Sequence, residues 1–279
     1  MDSANSILLN RFFTRNTFRH IIDGDDSKTY VATIRRYIKN YDRKTNMECI
    51  SEVYEILKRG YQNEYYYKNT LLNKLLLGVH SPRTTTALTE VPVGNSKADF
   101  ILINGSAVAY EIKTSLDNFE RLDGQIEDYY KAFSRVVVVT SEGNYGDVKK
   151  RLEDSPVGIC LLTKKGTLSM RKEPEEFCDM LSKSTMFKVL RKNEYERILY
   201  NYYGTLPDVS QFEYYRACQD LFESIPIDDA YNNFIKSLKL RMKLDIVEYA
   251  EVPYELKFIV YFSNYKESDY AKLSRFLHA

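Results

Sequence analysis

The sequence predicts an α/β protein whose sheet mixes antiparallel and parallel strands, and three observations carry that prediction. Asn104-Gly105 separates two apolar runs, and both residues tolerate the positive φ that a tight hairpin turn demands. Four consecutive valines, Val136 to Val139, read as a strand buried on both faces, which requires a sheet covered by helices on both sides. Tyr67, Leu71 and Leu75 recur every four residues ahead of Gly78, so the segment from Glu64 to Leu77 reads as a helix with a glycine stop.

Taken in order, the chain begins with helical patterns. Asn5 to Phe18 carries Ile7, Leu8, Phe12 and Phe18 at helical spacing, with Arg11, Arg15 and Arg19 as a basic side. Asp23-Gly24-Asp25-Asp26-Ser27 is a turn and a helix start, followed by helices over Tyr30 to Tyr41 and Met47 to Arg59. After the helix from Glu64 comes a strand, Ala87 to Val93, which Pro92 confines near a sheet edge. The hairpin about Asn104-Gly105 follows, then a helix from Asn118 to Phe133 and the valine strand. A helix from Tyr145 to Leu152 leads to strands over Val157 to Thr163 and Thr167 to Met170. From Glu175 onward the patterns are helical, with breaks at Gly204 to Pro207 and Ile225 to Asp229, and Leu256 to Phe262 reads as a further short helix. The expected organisation is an N-terminal helical region over 1–60, a mixed α/β core over 61–174 and a C-terminal helical region over 175–279.

The chemistry concentrates in the hairpin. Along its second strand the side-chain period of two puts Glu111 and Lys113 on one face and Tyr110 and Ile112 on the other. A strict two-residue turn sets Asp99 opposite Tyr110. A three-residue loop with Gly105 as the bulge residue sets it opposite Ala109, on the face of Glu111, and this arrangement is expected. Two carboxylates and an ammonium then converge on one side of an apolar sheet. Desolvating them without partners costs several kcal/mol, so the alternatives are a mutually paired ion cluster or a compensating metal ion or substrate. Two carboxylates are hard oxygen donors suited to Mg²⁺ or Mn²⁺, and a lysine beside such a metal can orient a water or offset charge on a phosphate. The chemistry suggested is phosphodiester hydrolysis.

At these residues the sequence resembles the PD-(D/E)XK nuclease superfamily. Its signature, an Asp followed across a hairpin by Glu-x-Lys, is matched by Asp99 and by Glu111-Ile112-Lys113, with Ala98 in place of the variable proline. Gln125-Ile126-Glu127-Asp128-Tyr129 resembles the Gln-x-x-x-Tyr element of the RecB-type exonuclease branch, and Glu64 resembles the additional acid of the first helix. The resemblance implies a restriction-endonuclease-like αβββαβ core. It also implies a Mg²⁺- or Mn²⁺-dependent nuclease with Asp99, Glu111 and Glu64 at the metal. Asp99, Glu111, Lys113 and Gln125 are then catalytic, with Gln125 and Tyr129 holding substrate or the lysine. For Glu64, a first-turn Glu complementing the helix dipole is the other reading. A role in phage defence or DNA repair is plausible by resemblance alone.

Composition bounds the remainder. With 279 residues, 44% of them hydrophobic, the chain can bury a large core. A net charge of only +1 gives no global attraction for nucleic acid, so binding would need a local basic surface. The run Phe234 to Leu244 is the most basic, and Lys236, Lys239 and Arg241 are the candidates for facing DNA or, second, RNA; a plain solvated face is the alternative. The 24 tyrosines are expected to pack half-buried with wet hydroxyls. Cys49, Cys160, Cys178 and Cys218 show no paired spacing, which argues against a zinc site or disulfide framework. No secretory signal or membrane-length apolar run is evident, so a cytoplasmic location without membrane partners is expected. Besides a nuclease, the sequence admits an inactive nucleic-acid-binding or protein-interaction module that retains the fold.

Overall fold

The mixed sheet forms as expected. In the computed structural model, which describes residues 3–25, 27–242 and 244–279 and side chains from Ile7 onward, six strands lie in the order β1-β2-β3-β4-β5-β6. They are β1 (Thr86–Val93), β2 (Ser96–Asn104), β3 (Ser106–Lys113), β4 (Arg135–Ser141), β5 (Gly158–Leu162) and β6 (Leu168–Lys172). The pairs β1/β2 and β2/β3 are antiparallel and β3/β4 is parallel. β1, with its Pro92, is an edge strand.

The described residues pack as two compact units in place of the three consecutive regions expected. One comprises Thr84–Leu161 and Ser169–Met242; the other comprises Met1–Arg83, Leu162–Leu168 and Lys243–Ala279. In the sheet-bearing unit the valine strand is buried on both faces, since Val136 to Val139 are each fully enclosed. The helix Leu122–Tyr130 lies against β2, β3 and β4, and Tyr145–Arg151 packs on β4. Lys183–Val189 packs on β1 and is itself surrounded by Gln211–Ser224 and Ile227–Lys239. The core between these layers joins Ile101, Ile103, Val136 and Val138 to Tyr129, Phe133, Phe187 and Phe234.

The helical unit is held by aromatic packing. Phe12 stacks on Tyr30 and Phe13 on Tyr65, with centroids 5.4 and 4.7 Å apart, and Tyr54 and Phe258 meet Tyr65 edge-on. Three tyrosines of this unit are packed rings with bonded hydroxyls. Tyr30 donates to Asn46 Oδ1 at 2.6 Å, Tyr54 accepts from Asn69 Nδ2, and Tyr65 donates to the Glu255 carbonyl. No helix among the described residues is long and apolar enough to cross a membrane.

Several boundaries differ from expectation for local reasons. The first expected helix is two, Ser3–Phe12 and Arg15–Asp23. Thr14 is extended between them and its hydroxyl accepts from the Thr17 N–H as an N-cap. Arg11, Arg15 and Arg19 therefore do not line one helix. Asp26 of the following turn lies outside the described residues. The helix from Glu64 is α-helical to Leu71 and continues as a π-helix over Leu72–Leu77. The helix after β3 starts at Leu122 because the Asp117 carboxylate first accepts from the N–H and hydroxyl of Thr114, closing a turn.

Arg241 does not lie on the exposed face where the basic run places it. The helix of the basic run ends at Lys239, and Arg241 turns inward, where Nε and Nη2 bond Glu194 at 2.8 and 2.7 Å and Nη2 also reaches the Val189 carbonyl. Its side chain and that of Glu194 are 9% and 5% exposed, so Arg241 is a buried staple and does not face a ligand. Lys236 remains exposed and Lys239 half-exposed, while Lys243 lies outside the described residues.

Burial resists ionisation of Glu194, but the Arg241 guanidinium and the Arg191 N–H outweigh it and hold the carboxyl below its usual range. A depressed carboxyl stabilises the fold above its unfolded pKa and loses that contribution as pH falls through the folded value. Glu194→Gln should cost roughly 3–5 kcal/mol near neutral pH by stranding the buried arginine. Urea denaturation of both proteins should show the gap shrinking as pH falls below about 4.

Candidate active site

The site is built where β2 leaves β3. The ladder between them runs from Asn104↔Ser106 to Phe100↔Tyr110, around a loop in which Gly105 has φ 77°. Only Gly105 lies between the paired Asn104 and Ser106, where a three-residue loop is expected. Extending the register places Asp99 across from Glu111, two positions along from the expected Ala109. Asp99 still shares the face of Glu111, because a shift of two preserves side-chain parity. Beyond Phe100 the next β3 donor, the Ile112 N–H, is bonded by the Asp99 carboxylate at 2.8 Å. Asp99 is thereby fixed against the backbone between Glu111 and Lys113. The Thr89 hydroxyl, from β1, donates to the Asp99 carbonyl at 2.7 Å.

Glu111 and Lys113 are buried, at 2% and 8% exposure, and each is compensated. Lys113 Nζ lies 3.0 Å from Glu111 Oε1 and donates to Gln125 Oε1 at 2.8 Å. The Tyr129 hydroxyl donates to Glu111 Oε2 at 2.6 Å and also lies 2.8 Å from the Lys97 carbonyl. Burial, reinforced by the charges of Glu111 and Asp99, pushes the Tyr129 hydroxyl well above its ordinary pKa, which keeps it a donor. Gln125 and Tyr129 share a helix face, as their spacing of four requires, and the structure brings both into contact with the Glu-x-Lys strand.

Two residues unmarked in the sequence analysis support this arrangement. Asp128 accepts from the Asn95 N–H and the Ser96 hydroxyl and pairs with Lys131 at 3.0 Å, tying the helix to the β1–β2 turn. Gly94 admits that carboxylate, since a Cβ there would sit 2.5 Å from Asp128 Oδ1. The second is Glu90, at the single skipped position of the β1–β2 ladder, across from Asp99. Among the described residues it is the one strand residue other than glycine with positive φ, at 55°. Glu90 and Asp99 bring carboxylate oxygens within 4.8 Å of one another, and Lys97 pairs with Glu90 at 2.7 Å. A turn-like Gly94 and an unexpected charge inside a strand were the available signals.

Glu64 belongs to the other unit, where it opens the helix Glu64–Leu71 and pairs with Lys68 Nζ at 2.5 Å. Lys236 and Lys239 do not contribute to the Asp99–Glu111–Lys113 network, although the Lys239 carbonyl accepts from Thr86 at the start of β1.

The sequence profile of the family described as Bacteriophage P4 protein cII matches residues 57–252. The chain belongs to that family. The matched stretch contains the entire sheet-bearing unit and every residue of the network just described. Protein cII of Enterobacteria phage P4 is 28% identical over 165 residues, covering 58% of this chain and 57% of that protein. The chain thus spans little more than half the length of this relative. No solved structure matches this cII-family chain.

Tyr129→Phe should leave Glu111 Oε2 without its donor in a buried site. A loss of roughly 1.5–3 kcal/mol in urea denaturation is expected, the range for a hydrogen bond to a charged group. Gln125→Ala should cost less, because Lys113 keeps Glu111.

Proposed function

We propose that this protein is a divalent-metal-dependent nuclease that hydrolyses phosphodiester bonds of nucleic acid, DNA in the first instance. The reading rests on one observation: Asp99, Glu111, Lys113, Gln125 and Tyr129 form one connected set on the splayed β2–β3 edge and the facing helix. Such a set supports the reading because a restriction-endonuclease-like site would need these residue types together, and their order along the chain agrees with the resemblance of the sequence to that superfamily. A role in phage defence or repair would be consistent with a phage-related family, on kinship alone.

The donor set suits a hard cation. Asp99 is half-exposed, Glu90 adds a carboxylate oxygen beside it, and all the nearby candidate ligands are oxygens. Bound there, a divalent cation would polarise a phosphate and supply an activated water. The chain's own residues do the rest. Asp99, held by Ile112, presents its carboxylate in a fixed direction. Lys113, held between Glu111 and Gln125, sets an ammonium where negative charge builds on the phosphate. Tyr129 fixes the rotamer of Glu111 and acts as a positioning residue.

Both oxygens of Glu111 are already engaged, by Lys113 and Tyr129, and this favours a second reading. A self-compensated ion network would also suit a binding module without turnover. The two readings separate on metal binding and cleavage. For the nuclease, calorimetry should detect Mn²⁺ or Mg²⁺ binding that disappears in Asp99→Ala, and metal should raise the melting temperature. Labelled single- and double-stranded DNA and RNA should be cut with metal and left intact with EDTA. Lys113→Ala should lose about two or more orders of magnitude in single-turnover rate while still binding metal, and Lys113→Arg should not restore it. No metal binding and no cleavage of any of these substrates would eliminate the nuclease reading.

A further inference from the structure

The net charge of +1 conceals a segregation. The helical unit, Met1–Arg83 with Leu162–Leu168 and Lys243–Ala279, holds 21 Lys and Arg against 15 Asp and Glu, a balance of +6. The sheet-bearing unit holds the remaining 19 against 24, a balance of −5. A polyanion is therefore attracted to the helical unit and repelled on average by the unit that carries the acidic site.

Within the helical unit much of the basic charge is spent locally. Arg19 pairs with Asp23 and Asp269, Lys44 with Glu52, Lys58 and Arg59 with Glu55, and Lys68 with Glu64. The stretch from Arg35 to Arg43 differs. Arg35, Arg36, Lys39 and Arg43 are exposed, the only acid among them is Asp42, and none of the four pairs with a carboxylate among the described residues. Arg36 instead lies beside the Tyr37 hydroxyl. The four lie within one nine-residue segment that turns back on itself. The helix Lys28–Tyr37 ends at Ile38, Asn40 turns the chain with φ 52°, and a 3-10 turn over Tyr41–Arg43 follows. Arg35 and Arg36 at a helix C-terminus also complement its dipole, but Lys39 and Arg43 lie beyond that helix and have no such partner. Tyr41, 41% exposed, places a ring among the charges.

We propose that the segment from Arg35 to Arg43 is a nucleic-acid-docking surface, with Arg35, Lys39 and Arg43 contacting phosphates. The exposed tyrosine favours nucleic acid over a simple polyphosphate, because bases stack on such rings. The choice of partner rests on the nuclease reading; the surface itself does not depend on turnover. It also lies outside residues 57–252, so it is an addition to the part that defines the family.

The test is fluorescence anisotropy with labelled single-stranded and duplex DNA in EDTA, over a salt series, on the full chain. Wild type should bind with an affinity that falls steeply with salt. Arg35→Ala with Lys39→Ala should flatten the log–log salt slope by about 1.5–2 and weaken binding roughly tenfold or more at low salt, with an unchanged melting temperature. Lys58→Ala with Arg59→Ala removes the same charge elsewhere and should change the slope by less than about half a unit. Equal effects of the two double variants, or no DNA binding by wild type, would overturn the proposal. Binding in EDTA is read without metal and so without any metal-dependent cleavage. Failure of the nuclease reading would therefore appear as absent cleavage with this binding intact.

Discussion

The Ile112 N–H faces the point at which β2 has left its ladder with β3, and a buried N–H needs an acceptor. Asp99 supplies it from its side chain, so the same bond that closes the sheet also fixes a carboxylate beside Glu111 and Lys113. Around this point β1 contributes the Thr89 hydroxyl to the Asp99 carbonyl and a strained Glu90 across from it. Strain of that kind in a strand interior persists only where surrounding contacts over-determine it, and here those contacts converge on the acidic edge.

Glu111 and Lys113 occupy positions that would be strongly unfavourable for isolated charges. Neither is isolated. Each oxygen of Glu111 has its own donor, and Lys113 is shared between a carboxylate and an amide carbonyl. A network completed in this way is rigid, because moving any member strands another in a low-dielectric setting. The helix that contributes Gln125 and Tyr129 is in turn anchored by Asp128 on the β1–β2 turn, with Gly94 making room for its carboxylate. Packing and chemistry thus share residues, and Tyr129, fully buried, belongs to both.

The basic residues show how little residue type says about role. Arg241 lies in the most basic run of the chain, yet Glu194 and the Val189 carbonyl draw it into the interior. Arg35 and Lys39 sit in a less prominent stretch and keep their charge at the surface. The difference is the presence of an acceptor on a neighbouring element, which the local sequence does not encode.

The sequence by itself determined the features that depend on local rules. The hairpin at Asn104-Gly105 follows from backbone conformational preference, the valine strand from composition, and the shared face of Glu111 and Lys113 from strand periodicity. The shared face of Gln125 and Tyr129 follows from helix periodicity. Tertiary structure decided the rest. Two turns fit the local sequence, one setting Asp99 opposite Tyr110 and the other opposite Ala109, so Asp99 meeting Glu111 required the actual pairing of the strands. The single helix expected through Arg11 and Arg15 gave way to a Thr14 cap, because a side-chain hydroxyl competes with the helical ladder. The regrouping of residues 61–83 with both ends of the chain, and of 175–242 with the sheet, depends on contacts between segments far apart in sequence. So do the inward turn of Arg241 and the Asp128 anchor, since an ion pair is fixed by the distance between two elements, and no window of sequence contains both.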